Sequence, residues 1–295
     1  MKPSTAATDG AILCATVNDV DSDGKSPLFF ACANGHVDAV TQLLTCDGVN
    51  VELSDDDGNL PLHVAAEGGH IAIVCALLSV GGACVDAEDR YGATALLRSA
   101  ANGHLEVVRF LLEKAGARAT SYGETPLLAA VSNGHMDLVT YLVEDRKVDL
   151  NEANTRGHTP LMEAAWRGHT EVAAFLCDGG ADVNLLDDEG ETALVDASLR
   201  GHEAVVRLLL SRGADHARGG VCGASALVAA CGSGAASAPA IVTLLLAGRT
   251  DDVHTEWPAA GPGRWRDTLL CRAAERGTLE VRPERRGNKR ISCRP

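Results

Sequence analysis

RGHTPLMEAAWRGHTEVAAFLCDGGADVN, residues 156–184, is the stretch whose reading decides the fold. Thr159 stands where a hydroxyl can cap a helix N-terminus. Pro160 follows at the first helical position, where its missing N–H costs nothing. The paired small residues Ala164–Ala165 let two helices approach closely. Gly168 stops the first helix where a positive φ is needed. A second helical segment follows, and the chain then turns at Glu189–Gly190 into a hairpin finger.

The same order of residues returns along the chain. DGKSPLFFACANGHVDAVTQLL begins at Asp23, DGNLPLHVAAEGGHIAIVCALL at Asp57, YGATALLRSAANGHLEVVRFLL at Tyr91 and YGETPLLAAVSNGHMDLVTYLV at Tyr122. EGETALVDASLRGHEAVVRLLL follows at Glu189, and CGASALVAACGSG at Cys222. The Gly of each opening dipeptide falls at 24, 58, 92, 123, 157, 190 and 223, in steps of 31 to 34 residues. Thr125 and Thr192 repeat the cap, and Pro27, Pro61 and Pro126 repeat the first-turn proline. Val107, Val108, Leu111 and Leu112 show the apolar stripe of the second helix. One such unit cannot bury its own apolar face, but stacked neighbours bury it jointly.

This register, T-P-L-x-x-A-A-x-x-G-H followed by G-A-D-V-N, resembles the ankyrin repeat. The resemblance covers roughly residues 23–281 and implies an all-α solenoid of stacked helix-turn-helix units with hairpin fingers. Seven repeats are expected over 23–253, starting near 23, 57, 91, 122, 156, 189 and 222. Residues 1–22 contain ATVNDVDSDG, comparable with GADVNLLDDEG at 180–190, and are expected to be a partial cap or the tail of a preceding repeat. In the seventh repeat the inter-helix loop gains three residues and loses its His. A long finger and an incomplete eighth unit are expected over 254–281, and a basic, disordered tail over 282–295.

Composition narrows the partners. Aromatic residues are 3% of the 295, so the core must be Leu, Val and Ala, which suits thin layers of helices. Net charge is −14, unevenly spread: residues 264–295 carry ten Lys/Arg against four Asp/Glu, leaving 16 basic against 36 acidic groups before them. An acidic body disfavours nucleic acid and anionic membrane and favours a basic protein surface. No apolar run approaches the ~20 residues of a membrane span. Ten Cys without any CxxC read as reduced thiols, so the expected setting is cytoplasmic or nuclear and the expected state monomeric.

Catalytic and metal chemistry find little support. Asp19, Asp21, Asp23 and Gly24 open like a calcium loop, but Pro27 and Phe30 stand where later ligands belong, and the dipeptide recurs as a turn. Six His occupy the G-H slot, at 36, 70, 104, 135, 169 and 202. They are expected to order the inter-helix turn, because successive copies lie too far apart to share one ion. Cys32 and Cys231 read as small core residues, and Cys222 as an exposed thiol without an activating cation. No P-loop, GxSxG, HExxH or kinase set occurs. No enzyme activity, cofactor or metal is expected.

The resemblance implies that partners contact the fingertips and the exposed end of the first helix. Carried onto this chain, the candidates are Tyr91, Tyr122, Glu124, Arg156, His158, Glu189 and Glu191 on fingers. Trp166, Arg167 and Arg200 are the helical ones. Trp, Tyr and Arg are the usual anchors of protein interfaces. Arg98, Glu163 and Asp196 share one usually apolar helix position, which reads either as snorkelling or as a polar ladder along the helical face. The resemblance also makes Asn184 a possible asparaginyl hydroxylation site, with a structural Asn at the finger base as the other reading. The expected function is a non-catalytic interaction module or scaffold. The alternative is the targeting part of a larger enzyme, such as a ubiquitin-ligase subunit or kinase.

Overall fold

The computed structural model describes residues 16–118, 123–219, 226–247, 280–283 and 289–292. It divides into two compact units, Met1–Val148 and Asp149–Pro295. In the first, four helix pairs follow one another: α1 (Pro27–Ala33) with α2 (Val37–Leu44), α3 (Pro61–Glu67) with α4 (Ile71–Ser79), α5 (Ala95–Ala101) with α6 (Leu105–Phe110), and α7 (Pro126–Asn133) with α8 (Met136–Thr140). Both α6 and α8 run on into a π-helical turn, Leu111–Ala115 and Tyr141–Asp145. The second unit holds α9 (Pro160–Arg167) with α10 (Thr170–Asp178), α11 (Ala193–Arg200) with α12 (Glu203–Ser211), and α13 (Ala226–Gly232) with α14 (Ala238–Ala247). Within each unit, first helices stack on first helices and second on second.

Strands β1 (Glu280–Pro283) and β2 (Lys289–Ser292) pair antiparallel, with Val281 opposite Ile291. The sequence reading gave this segment to an eighth unit and a disordered tail; residues 248–279, with the long finger, lie outside the described residues.

The local rules hold residue by residue. Ser26, Thr94, Thr125, Thr159 and Thr192 each accept the backbone N–H three residues on, capping α1, α5, α7, α9 and α11. Before α3 the cap position is Leu60, which has no hydroxyl. There His63 substitutes: its Nδ1 accepts the Leu60 N–H at 3.2 Å, while Nε2 donates to the Ala87 carbonyl at 2.9 Å. Leu28, Leu62, Leu96, Leu127, Leu161 and Leu194, one in each first helix from α1 to α11, are all buried. Burial of each stabilises by about 2 kcal/mol relative to exposure.

Three further contacts repeat with the fold. In five fingers a carboxylate or carboxamide three residues before the finger Gly (Asp21, Asp55, Asp89, Asn154 and Asp187) accepts two backbone N–H groups, at 2.7 to 3.1 Å. Asp21, which resembled a calcium ligand, is thus a turn residue. At the finger base, Asn18, Glu52, Asp86, Asn151 and Asn184 each accept an N–H from the next repeat: Asn50, Cys84, Arg118, Asp182 and Asp215. Finally, the G-H histidines do more than order their own turn. Nε2 of His104, His135 and His202 donates to the carbonyls of Glu67, Ala101 and Trp166 in the preceding repeat. The rings lie against the preceding Gly, so that a Cβ on Gly103 (φ 74°) would meet His135 at 2.5 Å and one on Gly168 (φ 79°) would meet His202 at 2.6 Å. Before α14, where no His stands, the Ser237 hydroxyl donates to the Gly201 carbonyl instead.

Candidate protein-interaction surface

Once caps, turns and staples have used their polar groups, two sets of side chains remain that differ from repeat to repeat. One is the fourth residue of the first helix, the other its C-terminal end. In the first unit, α5 places Arg98 at the fourth position. Its guanidinium meets Glu67 Oε2 at 2.7 Å, Asp89 Oδ2 at 2.5 Å and Asn59 Oδ1 at 2.5 Å. The Asp89 side chain is fully shielded. Burial raises its carboxyl, but the Arg98 hydrogen bond and the amides of Ala93 and Tyr91 outweigh it and hold the pKa below the usual carboxylate value. A shallow groove of about 290 Å³ opens beside Arg98, with Leu97 and Ala129 lining it and Glu67, Asn102 and Glu124 at its edge.

In the second unit the signs are reversed. The fourth helical positions are Glu163 on α9 and Asp196 on α11, and the cation comes from the finger. His158 Nε2 donates to Asp196 Oδ2 at 3.2 Å, and Nδ1 to Glu163 Oε2 at 3.3 Å. With a carboxylate at each nitrogen the ring is an imidazolium. Asp196, then Glu163, push its pKa up to about 10, against burial. Asp196 is only 2% exposed; burial raises its carboxyl while His158 pulls it back. Glu191 is also raised, by burial first and then by the Asp196 charge. Glu163 accepts in addition from Arg167 Nε at 2.9 Å. Arg98, Glu163 and Asp196 therefore do not snorkel. They are the centres of ion-paired networks that tie one repeat to the next.

The helix ends carry the exposed chemistry. The Arg200 guanidinium stacks over the half-buried Trp166 ring, 4.5 Å from its centroid. Arg167 and Arg156 are exposed, and the Arg156 carbonyl accepts the Asp188 N–H at 3.1 Å. Glu189 is exposed on the next finger. Tyr91 (74% exposed) and Glu124 belong to the first unit, and Tyr122 lies outside the described residues. The structure thus joins Trp166 with Arg200, and joins Arg167 with His158 through Glu163. Asn184 is a finger-base staple: its Oδ1 accepts from Asp215 and its Nδ2 donates to the Gly213 carbonyl at 3.3 Å.

Asp89 and Glu67, the counterions of Arg98, were not singled out from sequence. The signal for Asp89 was available, since an Asp or Asn recurs three residues before the finger Gly in five repeats. Burial raises the Cys32 thiol to about 12, which leaves it an inert core residue. Cys222 lies outside the described residues. Among the described residues no group of His, Cys, Asp and Glu is placed to hold a metal ion, and no helix is long and apolar enough to cross a membrane.

Comparison with known proteins agrees with this geometry. The family described as ankyrin repeats (3 copies) matches residues 6–89, 82–154 and 146–219. The crystal structure of the human ASB11 ankyrin repeat domain is similar, with TM-score 0.67 and 29% identity over 81% of this chain and 100% of that one. No curated protein matches. The ankyrin repeat is a protein–protein interaction module, typically non-catalytic. With the repeated caps, staples and G-H locks in place, and a family match over residues 6–219, this chain belongs to the ankyrin-repeat family.

Proposed function

We propose that the chain is a non-enzymatic interaction module that holds a partner protein on its fingertips and on the exposed ends of its first helices. The observation that carries this reading is the division of labour within each repeat. The recurring Asp, Asn, Thr and His side chains are consumed by turns, caps and staples, so they hold the scaffold together. At the exposed end of the first helix the side chains change between copies, with half-buried Trp166 and exposed Arg167 where the equivalent residues of α3 and α5 are Glu67–Gly68 and Ala101–Asn102. A rigid scaffold presenting variable side chains is what recognition requires. The fingers display Asp23, Asp57, Glu124 and Glu189, which supports a partner that is basic where it meets them.

The test replaces Trp166 and Arg167 together by Ala and compares capture of partner proteins with the native chain. Capture is expected to fall while far-UV circular dichroism and melting stay near native. Undiminished capture by a folded double variant would remove these helix ends from the binding surface.

A further inference from the structure

Resting on that reading, we propose that the ends of α9 and α11 form a cationic–apolar patch that takes an anionic segment of the partner. The segment would carry carboxylate or phosphate groups beside an apolar side chain. This is opposite in sign to what the net charge of −14 suggests for the chain as a whole.

The patch is built by four residues: Trp166 and Arg167 at the end of α9, Leu199 and Arg200 at the end of α11. The equivalent pairs in the first unit are Ala33–Asn34, Glu67–Gly68, Ala101–Asn102 and Ser132–Asn133, none of them cationic. The carboxylates at the fourth positions of α9 and α11 point inward. The Glu163 and Asp196 side chains are 17% and 3% exposed, whereas that of Arg167 is 51% exposed. A partner therefore meets the guanidinium groups first.

Arg200 is the sharper element. Arg90, Arg98, Arg118, Arg167, Arg207 and Arg212 are all ion-paired, and Arg109, which stacks on Tyr141 at 4.8 Å, is half-buried; Arg200 is exposed, has no carboxylate partner among the described residues and rests on Trp166. Stacking fixes the plane of the guanidinium and leaves its N–H edge open, the geometry that accepts a carboxylate or phosphate in bidentate fashion. Leu199, 37% exposed, and the Trp166 edge supply apolar contact beside it. Because the chain's overall field repels anions, attraction here is short-ranged and depends on these four side chains.

The experiment uses the full chain and fluorescence anisotropy of three labelled decapeptides. One alternates Asp with Leu, one replaces the Asp by phosphoserine, and one replaces them by Lys. At least one anionic peptide is expected to bind, and Arg200→Gln to weaken it about tenfold or more, the value of a charge-assisted hydrogen-bond pair. Arg207→Gln, the same charge change on the second helix, is expected to leave binding near native. The stronger anionic peptide tells carboxylate from phosphate. Tighter binding of the Lys peptide, no binding of either anionic peptide, or equal effects of the two variants would each overturn the proposal. A Lys peptide that binds through Trp166 and Arg167 would leave the interaction-module reading standing and reverse only the charge.

Discussion

The two units solve one problem with opposite charges. The fourth residue of the first helix sits where repeats meet; Phe30, Val64 and Ala129 leave it uncharged in α1, α3 and α7, but in α5 it is a cation, Arg98, between the finger carboxylate Asp89 and the helix-end carboxylate Glu67. In the second unit it is an anion twice, Glu163 and Asp196, with the finger cation His158 between them. The position therefore demands compensation, not a particular sign. A partly buried charge is tolerable only when paired and hydrogen-bonded. The difference lies in what each cation can do: a guanidinium stays charged at any accessible pH, whereas an imidazolium can lose its proton.

The most damaging way to break the comparison is Asp89→Ala. It removes the counterion of Arg98 and the one oxygen that accepts both N–H groups of the third finger turn, and is expected to cost about 3 kcal/mol. Asp89→Asn sharpens the test. Asn154 shows that a carboxamide serves the turn equally well, so the turn is kept while the charge and the Oδ2 acceptor for Arg98 are lost, and about half the cost is expected to remain in denaturant melts. Next come Gly103→Ala and Gly168→Ala, which address what the units share. Each puts a Cβ into a histidine ring and forces a left-handed backbone on Ala, an expected cost of about 2 kcal/mol in either unit. Strongly unequal costs would show that the G-H lock is not the common element.

A pH series should then separate the units. Burial lowers the pKa of His63 below its ordinary 6.5, so its contribution to the first unit is present above pH 6.5 and is lost as pH falls below it. His158 runs the other way: with its folded pKa raised to about 10, its contribution is full below pH 6.5 and is lost as pH climbs from 6.5 toward 10. Hydrogen exchange is expected to show acid loosening residues around His63 and alkali loosening those around His158. His63→Gln and His158→Gln should flatten their respective limbs. The smallest effect is expected from Ser237→Ala, about 1 kcal/mol, because it removes one hydrogen bond that stands in for a histidine before α14.

Much of this was legible in the sequence because it is local. A Thr before a Pro-Leu pair is a helix start wherever it occurs, and Thr125 and Thr159 cap the helices their spacing predicts. The role of Ser237 was not legible, since the three-residue insertion hides which residue comes to lie over Gly201. Nor was the fate of Arg98, Glu163 and Asp196. From sequence they looked like a surface ladder or snorkelling chains, and although Glu163 meets Arg167 four residues on, the partners of Arg98 and Asp196 come from 9 to 39 residues away. His158 was named for its fingertip position, but its pairing with two helices was beyond any local pattern.

By itself, then, the sequence determined the repeat, the helix boundaries, the finger turns and the buried leucines, because each depends on contacts within about one repeat length that recur in every copy. Only the tertiary structure decided which charges pair, which histidine becomes an imidazolium and which arginine is left stacked on a tryptophan with its edge open. Those outcomes depend on distances between side chains of different repeats, and Coulomb energies and burial change steeply over a few ångströms that sequence spacing cannot supply.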